Sequence, residues 1–111
     1  MNELVERLSK GDHPVAMQRC KDAHELKEML ERDFALVKFT GTRGGTEVAF
    51  DIDKSRSRLD ADFETPRGNI HLEGELVLNY ERVRMIAEVD VETRKGTGHL
   101  EPIVEKSTDA A

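Results

Sequence analysis

Ile70–Val91 reads IHLEGELVLNYERVRMIAEVDV, and the side on which its aliphatic residues fall decides the fold. Ile70, Leu72, Gly74, Leu76 and Leu78 alternate with His71, Glu73, Glu75, Val77 and Asn79. Val83, Met85, Ala87, Val89 and Val91 alternate in the same way with Arg84, Ile86, Glu88 and Asp90. A period of two is the mark of a strand with one face buried and one in water. With NYER as the connection, Leu78 is expected opposite Val83, Leu76 opposite Met85, Gly74 opposite Ala87 and Leu72 opposite Val89. All the apolar side chains then share one face. Aspartate at Met85 or Leu76 is expected to unfold the domain, because either change buries an unpaired charge.

The same alternation holds toward the N-terminus. Ala35, Val37 and Phe39 share one side of a run beginning at Phe34, with Leu36, Lys38 and Thr40 on the other. Val48, Phe50 and Ile52 alternate with Glu47, Ala49 and Asp51. An antiparallel pair with Thr40 opposite Glu47 places Val37 on Phe50 and Ala35 on Ile52. The loop between them, GTRGGT, is rich in glycine. It is not a phosphate-loop motif and no helix follows it, so it reads as a turn with Arg43 at its tip. HLEPIVE is a last strand, with Pro102 making it an edge or ending it. PVAMQR fits a short first strand.

Two segments have helical spacing. In KDAHELKEMLERD, Ala23, Leu26, Met29 and Leu30 make one stripe, Asp22 suits the N-cap, and Glu25 stands three residues on. Near the start, Met1, Leu4, Val5 and Leu8 form a short stripe that Gly11 ends. The fold class expected is α+β. An antiparallel meander sheet of about five or six strands, strongly curled or partly barrel-like, carries one main amphipathic helix over about 22–32 and a short N-terminal helix. Residues 1–12 read as an N-terminal arm, 13–105 as a single domain and 106–111 as a disordered tail. The polar stretch 54–69 has Leu59 and Phe63 as its anchors.

Bulk properties narrow the function classes. The 111 residues carry a net charge of −6, and aromatics are 5% of the chain. Without a basic footprint, nucleic acid is not an expected partner. Acidic surfaces also disfavour anionic membranes. A single cysteine, Cys20, fits a reducing compartment, and no apolar leader is visible, so a cytoplasmic location is expected.

Chemistry is sparse. Cys20 and His24 lie near the start of the main helix, where a thiol can be activated, but no third group orients them. His13, His24, His71 and His99 form none of the usual metal spacings. His71, Glu73 and Glu75 share one strand face, with Asp90 expected across from His71 and Glu73 across from Glu88. A solvated row of charges explains that face. No catalytic residue, metal or cofactor is expected. Val77 and Ile86 are aliphatics on the charged face, which suggests a cover there.

The reading expected is a small non-catalytic subunit, accessory factor or protein-binding module. It would use its sheet face or edge, with Arg43, Val77, Arg82, Arg84 and Ile86 at the contact. Its partner would be another protein or a second copy. The alternative is a curled sheet that binds a small apolar ligand or acts as an enzyme, with His71, Glu73 and His99 at a polar pocket mouth.

Overall fold

The computed structural model describes residues 3–103. The elements in chain order are α1 (Glu3–Leu8), β1 (His13–Ala16), α2 (Ala23–Glu31), β2 (Phe34–Phe39), β3 (Thr46–Asp51), β4 (Asn69–Leu78), β5 (Glu81–Asp90) and β6 (Lys95–Pro102). The strands form one six-stranded antiparallel sheet in the order β3-β2-β1-β6-β5-β4. The sheet curls into a nearly closed barrel.

The order departs from a simple meander. β4, β5 and β6 are consecutive hairpins, and so are β2 and β3. The short β1 lies between the two groups, pairing Val15 with Phe39 on one side and with Gly96 on the other. A strand of four residues thus joins two hairpins that are remote in sequence. Nothing local in HPVA announces that role.

The expected sidedness is present, but both hairpins are shifted by two residues. Leu76 pairs with Val83, Gly74 with Met85, Leu72 with Ala87 and Ile70 with Val89. Val37 pairs with Val48 and Ala35 with Phe50. The cause in the first hairpin is the turn. It is made by Asn79 and Tyr80 alone, with φ 49° and 70°, so Leu78 pairs directly with Glu81. Two residues of positive φ supply the twist that a tight hairpin needs. A slip of two keeps every side chain on its face, so periodicity cannot detect it.

The core is aliphatic. Ile70, Leu72, Val83, Met85, Ala87, Val89, Val91 and Leu100 meet Val37, Phe39, Val48 and Phe50 inside the barrel. Leu76 and Leu78 are only partly buried against this cluster, so the outer part of β4 is less enclosed than expected. Helix α1 leads into β1, and its Val5 and Leu8 are fully buried. Helix α2 leaves the other end of β1 and buries Ala23, Leu26 and Leu30. Its N-cap is Asp22, whose Oδ1 accepts from Glu25 N–H at 2.9 Å. The tail assigned to 106–111, like Met1, lies outside the described residues.

The barrel's seam lies between β3 and β4. They meet where Asp53 N–H donates to Glu73 O at 2.8 Å. Gly74 makes the approach possible, because a Cβ there would collide with the Asp51 carbonyl and the Phe50 ring.

Candidate functional site: the outer face and edge of β4

The first part of β4 is clasped. Arg58 and His71 exchange both backbone bonds at 2.9 Å. Ser57 Oγ accepts from Glu73 N–H at 3.0 Å. The 53–58 segment therefore acts as a short extra rung along the edge of the strand. Asp53 starts this segment by accepting from the Ser55 hydroxyl at 2.6 Å and from Ser55 N–H at 3.1 Å.

Above the clasp, ionic side chains form one network. His71 Nδ1 lies 2.5 Å from Glu88 Oε1, and its Nε2 lies 2.7 Å from Glu73 Oε2. Both ring nitrogens face carboxylate oxygens, an arrangement that an imidazolium satisfies by donating on both sides. Burial opposes that charge, but the bonds to Glu73 and Glu88 outweigh it and hold the His71 pKa above its ordinary value. Arg84 joins the network by donating to Glu75 Oε2 at 3.1 Å and Asp53 Oδ2 at 3.4 Å. Arg82 donates to Glu75 Oε1 at 2.9 Å. Asp53 is held below the usual carboxylate range, first by the Ser55 hydroxyl, against some burial, and then by Arg84.

The register explains these partners. His71 is opposite Glu88, and Glu73 is opposite Ile86. The expected pairs, Asp90 with His71 and Glu73 with Glu88, are thus replaced by an attractive pair and a mixed one. Asp53 was not visible as a member, because it lies outside the strands and reaches Arg84 only through the barrel's closure.

The rest of β4 is bare. His71 and Glu73 turn their backbone groups away from β5, so the uninterrupted register turns those of Glu75 and Val77 the same way. Among the described residues neither has a backbone partner on that side. Val77 is 63% exposed and Tyr80 is 100% exposed. Together with Phe34 they are the exposed large hydrophobics among the described residues.

The remaining expected site residues fall elsewhere or are already engaged. Arg43 is exposed at the β2–β3 loop tip, where Gly44 and Gly45 take φ 74° and 78° and Gly45 N–H donates to Thr42 O at 2.9 Å. That bond closes the loop as a turn. Ile86 is half-buried and sits between Glu73 and His99 in the register, so Glu73 and His99 share the outer face. His99 nevertheless faces Asp12 at 3.5 Å and Glu101 at 3.3 Å, apart from the His71 network. Behind that face, Phe39, Phe50 and Met85 fill the barrel. Cys20 is buried, and burial followed by Glu25 raises its thiol pKa, opposite to what a nucleophile needs. His24 lies 3.8 Å from Glu28.

A separate cleft of about 260 Å³ lies between α2 and the 54–63 segment, lined by Leu30, Leu59 and Phe63 with Lys27, Glu31 and Lys54 at its rim. Among the described residues no cluster of His, Cys, Asp and Glu is arranged to hold a metal ion, and no helix is long and apolar enough to cross a membrane. No protein-family model matches the chain, and the comparison with curated proteins finds no match.

Proposed function

We propose that this protein is a small non-catalytic subunit or protein-binding module that docks a partner through the outer half of β4. The observation that carries this reading is a strand edge that no described residue pairs, beside exposed apolar side chains. Glu75 and Val77 present backbone donors and acceptors outward, and Val77 and Tyr80 add apolar surface to the same end of the hairpin. An edge of this kind binds an extended segment by strand addition, with main-chain bonds giving affinity and alternate side chains giving specificity. Arg82 and Arg84, neutralised in part by Glu75, border the contact on the β5 side. Arg43, on another strand connection, has no part in it.

The test is a photo-crosslinking residue placed at Val77 in living cells, compared with one at Glu92. Glu92 is exposed in the turn at the far end of β5. Docking through β4 predicts a discrete crosslinked product from position 77 and none above background from position 92. No product at 77, or equal products at both sites, rejects this reading.

A further inference from the structure

The bare stretch of β4 is complementary to itself, and we infer that a second copy of this chain pairs with it, antiparallel and about a two-fold axis at Leu76. The inference rests on the docking reading above and specifies the partner. Three observations lead to it.

The clasp sets the available length. Backbone partners occupy the edge at His71 and Glu73, and the Asn79–Tyr80 turn ends the strand after Leu78. Among the described residues only the Gly74–Leu78 part of this edge has no backbone partner. A two-fold axis through Leu76 uses that whole stretch, pairing Gly74 with Leu78 of the other copy and Glu75 with its Val77.

Backbone parity then fits. Glu75 and Val77 both point their N–H and C=O away from β5. In the symmetric register each Glu75 exchanges both bonds with the other copy's Val77, as a hydrogen-bonded antiparallel pair requires. An axis one residue further toward the clasp would place Glu73, already committed to Asp53 and Ser57, opposite Val77.

Charge fits as well. Arg82 is the β5 neighbour of Val77, and Arg84 is the β5 neighbour of Glu75. Across the axis the outer face reads Arg82, Val77, Glu75, Arg84, so an arginine flanks the pair on both sides and like charges never oppose each other. Leu76 meets its own copy on the inner face, where it is half-buried in one chain. Strand β3 does not close this region, since its approach is at Gly74 and Val77 remains 63% exposed. The net charge of −6 acts against association over distance, but ordinary salt screens it beyond about 10 Å. A contact this short gives a weak dimer, populated at about 100 µM.

Multi-angle light scattering on the purified full chain, from about 1 to 100 µM, tests this. The wild type should rise from the monomer mass toward twice that mass, about halfway at the top of the range. Val77→Pro removes an edge N–H that β5 does not use, and Val77→Glu sets a second carboxylate opposite the other copy's Glu75 without touching the backbone. Both should melt cooperatively and lower the association constant at least tenfold. A wild-type monomer throughout this range overturns the second-copy inference and leaves the docking reading to the crosslinking result. A dimer that both folded variants retain overturns the assignment to β4. A product from position 77 with the mass of this chain plus a different protein overturns self-pairing while supporting the docking reading.

Discussion

The two halves of β4 belong to one strand, pair with one partner strand and follow one alternating pattern, yet they differ in every respect that matters for function. In the half from Ile70 to Glu73, Ile70 and Leu72 are fully buried, the edge is bonded to the 53–58 segment, and the outer side chains are tied to Glu88 and Arg84. In the half from Gly74 to Leu78, Leu76 and Leu78 are partly buried, the edge is open and Val77 is largely in water. Strand identity is therefore set by the pairing with β5, whereas stability and availability are set by what lies on the other side.

The sharpest way to break this contrast is to put the same charge into each half. Leu72→Asp buries an unpaired carboxylate at a fully enclosed site and should unfold the protein, with a loss above about 4 kcal/mol. Leu76→Asp can turn its carboxylate toward water and should melt cooperatively, with a loss of about 1–2 kcal/mol. Urea unfolding of the two variants compares them directly. Equal losses would mean that the outer half is as enclosed as the inner one.

Gly74 is the boundary. Its replacement by Ala drives a methyl into the Asp51 carbonyl and the Phe50 ring, so the seam must open. The expected cost is about 1–3 kcal/mol, read as a lower urea midpoint. A neutral result would place β3 further from β4 than the structure does.

A smaller effect concerns the ionic network of the clasped half. The folded state holds the His71 proton more tightly than the unfolded chain does. The resulting stabilisation is fully present below the unfolded pKa of about 6.5 and disappears as pH rises through the higher folded value. Thermal melting across this range should show a decline on the alkaline side, worth about 1 kcal/mol or less for a partly exposed network. In His71→Gln that component of the decline should be absent. An identical pH profile in the variant would remove His71 as its source.

These differences also show what could be read from the chain alone. The faces of β4 and β5 were legible, because Leu72, Met85 and Val89 obey a strict period of two and burial follows it. The cap of α2 was legible because Asp22 and Glu25 act within one turn. The register was not, since a shift of two leaves the pattern unchanged, and an Asn-Tyr pair gives less warning of positive φ than Asn-Gly. His71, Glu73 and the exposed Val77 could be placed on one face. The partner of His71 followed only from the true register, and Asp53 and Ser57 followed only from the closure of the barrel. The insertion of β1 between the two hairpins is a long-range pairing that four residues cannot encode locally.

Hydrogen exchange resolved to single amides, on protein dilute enough to be monomeric, tests the division of β4 most directly. The amides of His71 and Glu73, bonded to Arg58 and Ser57, should be protected, while those of Glu75 and Val77 should exchange orders of magnitude faster, close to the rate of an open edge. Equal protection of all four amides in the monomer would contradict the account, because the outer half of the strand would then already have a partner within its own chain.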